Sequence, residues 1–197
     1  MLKINQIRCE VGEIFSIHHI AKKLRCSIHD IHSFEIDRES IDARGDDLHY
    51  SYSVYASIKN EDKYLKNRDV KKESKEVYNL PTTAKTPSQR PIIVGFGPSG
   101  MYAGLILAEA GLKPIIIERG QAVEQRTKDI NEFFTKGKLL ESSNVQFGEG
   151  GAGTFSDGKL TTRMKNIRVS KVYEEFVEAG ANPAILYQPV SYTHLRA

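Results

Sequence analysis

The sequence predicts an α/β protein in two parts, and three stretches carry that prediction. Leu48, Tyr50, Tyr52, Val54, Ala56 and Ile58 place an apolar or small side chain at every second position, the period of a half-buried strand. The run "PTTAKTPSQRP", from Pro81 to Pro91, has the composition of a linker. Directly after it, "PIIVGFGPSGMYAGLILAEAGLKPIIIERG" reads as strand, glycine turn, helix, strand.

The bulk numbers set bounds. The chain has 197 residues, 40% hydrophobic and 27% charged, with a net charge of +3. This is an ordinary globular composition, and the charge neither demands nucleic acid nor excludes it. The opening "MLKINQIRCEVGE" lacks the apolar run of a secretory leader. The most apolar helix candidate, Gly100 to Gly111, is too short for a bilayer and carries Glu109. A cytoplasmic protein with no membrane partner is expected. Cys9 and Cys26 form no CxxC pair, so they read as buried thiols in a reducing compartment.

Residues 1–78 read as a small α+β domain. Ile7, Cys9 and Val11 alternate with polar neighbours as a first strand. A helical stretch follows with Phe15, Ile20 and Leu24 near one face. Ser27 with Asp30 is a capping-box pattern. Phe34 and Ile36 mark a second strand, and the run from Leu48 to Ile58 a third. Residues 59–78 carry dense charge of both signs and read as a solvated helix or loop, with a nucleic-acid stripe the poorer alternative, so no nucleic-acid partner is expected. His18, His19, His29 and His32 lie close in sequence. His18 and His19 point in different directions on any helix, and His29 and His32 sit beyond a break, so they read as surface histidines and no metal is expected.

A linker over residues 79–90 leads to the motif that carries chemistry. A lone GxGxxG is weak, but here a β-branched strand precedes it, a helix opens on it, and a second strand ends in Glu118. Seventeen residues separate Gly100 from Glu118. Gly95 permits the tight turn, Gly97 admits a pyrophosphate against the backbone, and Gly100 lets the helix pack closely. Pro98 suits a first helical turn, where its missing N–H costs nothing. The free N–H groups and helix dipole then face an anion. Glu118 can accept hydrogen bonds from both ribose hydroxyls, and its charge disfavours a 2′-phosphate. The fold class is therefore α/β: an incomplete Rossmann-like FAD/NAD-binding βαβ unit preceded by a small α+β domain.

Two further features refine this. Val123, Ile130, Phe133 and Phe134 mark one helix with Gly137 as its stop. Then comes "NVQFGEGGAGTFSDGKL". This loop suits close main-chain approach to a flavin or its ribityl phosphate. A mobile surface loop or a bulged hairpin explains its composition equally well. Lys159 could place positive charge near a flavin, or be an ordinary surface lysine.

Residues 91–188, with "RESIDAR" from Arg38 to Arg44, resemble a bacterial family of uncharacterised FAD-dependent dehydrogenases, or NAD(P)/FAD-dependent oxidoreductases. The stretches "PIIVGFGPSGMYAGLILAEAGLKPIIIERG", "VEQRT" and "NVQFGEGGAGTFSDGKLTTR" carry the resemblance. It implies that FAD is the cofactor, with NAD(P)H a candidate electron donor. By position, Gly97, Pro98, Ser99 and Gly100 would hold the pyrophosphate, and Glu118 with Arg119 the adenosine end. Arg126 would reach that end too. Gly150, Gly151, Ala152, Gly153 and Thr154 would line the flavin. No residue is assigned a catalytic role. The closing "PVSYTHLRA", Pro189 to Ala197, back-translates in frame to a transposon-library sequencing adapter and reads as a scar. On that reading residues 91–188 are the truncated start of the FAD/NAD(P)-binding domain, and the fragment alone is expected to be inactive. The rival readings are an NAD-dependent dehydrogenase and a non-enzymatic nucleotide-binding or RNA-associated module.

Overall fold

The computed structural model describes residues 1–44, 47–81, 87–155, 164 and 166–188. Among the described residues the chain divides into two compact units, one drawn from residues 1–78 together with 166–188, the other from residues 79–81 and 87–155. The sequence reading ran the second domain on to residue 188. The difference has a local cause. Ile185 is fully buried, and the Glu39 N–H donates to the Tyr187 carbonyl at 2.9 Å, which ties the late segment to the edge of the first unit's sheet.

The first unit contains β1 (Leu2–Glu10), α1 (Ile17–Leu24), β2 (Ile31–Asp42), β3 (His49–Ile58) and β4 (Val70–Lys72). The strands form one antiparallel sheet in the order β2-β3-β1-β4. This is a split β-α-β arrangement, with β3 inserted between β1 and β2. Its core is continuous: Leu2, Ile4, Ile7 and Cys9 from β1, Ile20 and Leu24 from α1, and Tyr52, Val54, Ala56 and Ile58 from β3.

The alternation read in β3 holds on the core face from Tyr50 to Ile58, but Leu48 lies before the strand and is exposed, and Tyr55 on the opposite face is buried as well. In β1 it breaks, because a bulge between Ile4 and Ile7 puts Gln6 at φ 54. The extra residue keeps Leu2 and Ile4 on the same face as Ile7 and Cys9. The strand therefore starts earlier than its pattern suggested, and Val11 falls beyond its end. Ser27 accepts from the His29 N–H at 3.3 Å and opens only a 3-10 turn, Ile28–Asp30. The charged stretch after β3 is not simply solvated. It holds a 3-10 turn with Tyr64 buried, then β4, whose Val70 pairs with Ile4. The last described helix, α4 (Ile167–Glu178), buries Tyr173.

The second unit contains β5 (Ile92–Val94), α2 (Pro98–Glu109), β6 (Ile115–Ile117) and α3 (Val123–Lys136). β5 and β6 are parallel, pairing Ile92 with Ile115 and Val94 with Ile117. The Gly95 N–H continues the ladder onto the Ile117 carbonyl at 2.7 Å. α2 crosses between them. Its close seat depends on glycine: a Cβ on Gly100 would stand 2.0 Å from the Gly95 carbonyl oxygen, and one on Gly104 2.8 Å from Ile116. α3 stops at Gly137, which adopts φ 68, as the sequence suggested. Among the described residues, no helix is long and apolar enough to cross a membrane.

Candidate functional site

The site is built where β5 turns into α2. Gly95 leaves the strand at φ 100, and Gly97 is the N-cap of α2 with Pro98 in the first turn. No side chain caps that helix. Its N-terminus therefore presents backbone N–H groups and the positive end of a dipole. Gly97 and Gly100 differ: a Cβ on Gly100 would collide with the Gly95 carbonyl oxygen at 2.0 Å, whereas one on Gly97 would meet Gly151 Cα at 3.7 Å.

Glu118 follows β6, at the C-terminal edge of the parallel pair. Its Oε2 accepts the Phe96 N–H at 2.6 Å, and its Oε1 accepts Gly120 N–H at 2.9 Å and Gly148 N–H at 3.1 Å. The Gly120 amide, then that of Phe96, hold the carboxyl below the usual carboxylate range. The sequence reading gave this carboxylate to a ribose. In the structure it ties three backbone segments together, the turn after β5, the turn after β6 and the glycine loop.

The glycine loop lies directly on the α2 turn. A Cβ on Gly151 would stand 2.9 Å from Gly97 Cα, and one on Gly120 2.4 Å from Gly148 Cα. The Gly150 N–H donates to the Phe96 carbonyl at 2.9 Å. Chain meets chain at these positions, which alone is a reason for the side chains to be missing. The loop then runs through a 3-10 turn, Gly151–Phe155, with Ala152 and Gly153 exposed. A Cβ on Gly153 would meet nothing within 4 Å. Lys159, with the rest of the loop from Ser156, lies outside the described residues, as do part of the linker and Pro189–Ala197.

Arg126 organises the loop from beneath. Its side chain is fully buried. One guanidinium nitrogen donates to the Glu149 carbonyl and to Thr154 Oγ1, the latter at 3.1 Å. The other donates to the carbonyls of Gly151 at 3.0 Å and Asn144 at 3.3 Å. Its Nε is buried without a partner. Burial pushes the guanidinium's pKa down, while Glu118 and Glu149 oppose that shift. The sequence reading sent this side chain toward the adenosine end; in the structure its donors are committed to the loop. The Arg119 guanidinium lies 4.0 Å from the centroid of the Phe147 ring. A cavity of about 520 Å³ lies there, lined in part by Arg119, Phe133, Leu139, Val145 and Phe147.

Two contributors escaped the sequence reading. Glu149 Oε2 accepts the Val123 N–H at 2.7 Å, so α3 is capped by a residue of the glycine loop rather than by one beside its own first turn. Phe147 supplies the face under Arg119. The only signal for either was an acidic residue and an aromatic set among glycines.

A second grouping lies in the first unit. Cys9, Glu13 and His19 bring potential ligand atoms within 4.8 Å of one another. Their hydrogen bonds have another use. The Ser16 N–H donates to His19 Nδ1 at 3.2 Å, which makes that nitrogen an acceptor and turns the other, Nε2, toward Glu13 Oε2 at 3.3 Å. The imidazole thereby completes the start of α1 in the role that Glu or Gln takes in a capping box. The Cys9 thiol is raised by burial and then by Glu13 and Glu10.

Residues 1–57 match the family described as "Domain of unknown function (DUF8436)". A Clostridium beijerinckii protein named "Uncharacterized protein" is 42% identical over 194 residues. That match takes in 95% of this chain and 36% of the relative, so the chain spans little more than a third of that protein's length.

Proposed function

We propose that the second unit binds FAD and forms the nucleotide-binding start of an FAD-dependent oxidoreductase. The observation that carries the reading is the parallel β5–α2–β6 unit with Gly95, Gly97 and Gly100 at its turn and no side chain capping α2. A helix N-terminus alone is a weak argument. Arg126 is the second, indirect support: fully buried, it holds the Glu149 and Gly151 carbonyls of the loop that lies on that turn and adds positive charge beneath it. Together they favour an anion such as a pyrophosphate.

In this reading the backbone of Gly97, Ser99 and Gly100 holds the pyrophosphate, and Glu118 takes the ribose. The cavity beside Arg119 offers a flat ring an apolar wall. The exposed Ala152–Gly153 stretch faces the remainder of the cofactor. The bound flavin would supply the redox chemistry, and the chain's own groups bind, orient and screen it.

Gly97→Ala tests this cleanly. The added Cβ would meet only Gly151 Cα, at an ordinary contact distance of 3.7 Å, so the fold keeps its shape. Titrated FAD should lose fluorescence on binding to wild type, and the variant should bind about tenfold more weakly, a loss of ~1.4 kcal/mol. Equal affinity would remove the pyrophosphate from Gly97, and no binding by either would remove the cofactor.

A further inference from the structure

We propose that Glu118 is a latch, holding the glycine loop shut through Gly148 until a ribose competes for the same carboxylate. The proposal rests on the dinucleotide reading of the α2 turn. A carboxylate oxygen offers two in-plane lone pairs. Oε1 is filled by Gly120 N–H at 2.9 Å and Gly148 N–H at 3.1 Å, and Oε2 already accepts Phe96 N–H at 2.6 Å. A ribose diol brings two donors. Gripping both requires an acceptor site on each oxygen, and Oε1 has none free.

The geometry decides which amide yields. Gly120 lies two residues from Glu118 and stays with it. Phe96 belongs to the turn fixed by the Gly95–Ile117 hydrogen bond and holds the shortest of the three contacts. Gly148 is thirty residues distant and holds the longest. It sits at φ 107, and as a glycine it can reach both signs of φ without the steric cost that a Cβ would impose. Beyond it, Arg126 keeps the Glu149 and Gly151 carbonyls. Glu149 is held as well, its N–H donating to the Gln121 carbonyl at 3.1 Å and its Oε2 accepting the Val123 N–H at 2.7 Å. Release is therefore confined to the Phe147–Gly148 corner, while the half of the loop over Gly97 stays anchored. Opening that corner also separates the Gly120 and Gly148 backbones, which are packed too closely for any side chain.

The probe is ADP, which carries both a ribose diol and a pyrophosphate. Amide hydrogen exchange at Gly148 is followed by NMR in the full chain, with calorimetry to establish binding. ADP should speed Gly148 exchange about tenfold while Phe96 and Gly120 keep their protection. Inorganic pyrophosphate should leave Gly148 unchanged. Glu118→Ala should show fast Gly148 exchange with no ligand. The wild-type titration stands even if that variant fails to fold. Bound ADP with Gly148 still protected overturns the latch and leaves the dinucleotide reading intact. Release by pyrophosphate alone also overturns it. ADP that does not bind at all overturns both.

Discussion

Glu118 and Arg126 do the joining in the second unit, and each has a measurable signature. The folded pKa of Glu118 lies below its unfolded value, because the backbone amides of Gly120, Phe96, Gly148 and Arg119 favour the charged form more than burial opposes it. Its contribution to stability is thus fully present above the unfolded pKa and is lost as pH falls through the folded one. Limited proteolysis in the Phe147–Phe155 segment should be constant between about pH 8 and 5, then rise below about pH 4. Glu118→Gln should flatten that rise. The Arg126 guanidinium donates to the Glu149, Asn144 and Gly151 carbonyls and to Thr154 from a fully buried position. Arg126→Lys, with a compact ammonium in place of the planar fork, should therefore destabilise the unit by about 2–3 kcal/mol in urea unfolding. An unchanged midpoint would show that the loop does not depend on it. The sequence picked out both residues. It could not show what they touch, because their partners are mostly backbone groups, and backbone groups are the same at every position.

At the scale of elements, periodicity was legible wherever a segment ran unbroken. β3 follows its alternation from Tyr52 to Ile58, and the β5–α2–β6 unit follows from its glycines. The sequence misled where one residue changes the register or where pairing is short. In the β1 bulge Gln6 itself takes the positive φ, so no glycine announced it. β4 is three residues long and lies inside a charged run, held by Val70 alone against the core. The glycines of the loop were legible as a set but not as individuals. Gly151 is hemmed in by Gly97 Cα at 2.9 Å from an added Cβ, whereas Gly153 stands in open space. Gly151→Val should therefore unfold the loop with or without cofactor. Gly153→Val should leave the melting curve within about 0.5 kcal/mol of wild type. If it nonetheless weakens FAD, only a ligand can account for the loss.

For the whole molecule, the two units differ in how well they are covered. The first has a closed core around Leu2, Ile4, Val54 and Ala56, each fully buried. In the second, Val94 is 84% exposed, and α2, apolar around its whole circumference, buries only Gly104. A parallel sheet normally has both faces covered. Hydrogen exchange should thus find the strongest protection in β1 and β3, and distinctly weaker protection in β5 and β6. Ile4→Ala should cost the first unit about 2–5 kcal/mol and leave exchange in β5 and β6 unaltered. A single cooperative transition across all six strands would contradict this.

The hydrogen bond between Glu39 and Tyr187 also sets an order in time. A ribosome adds roughly 5–20 residues per second, so Tyr187 emerges on the order of ten seconds after β2 has been made. During that interval β2, the twelve-residue edge of the sheet, carries unpaired amides and carbonyls beside Phe34 and Ile41. Such an edge is a template for another chain. Tyr187 then closes that edge at Glu39, so until the late segment emerges this position is open to pairing with another chain.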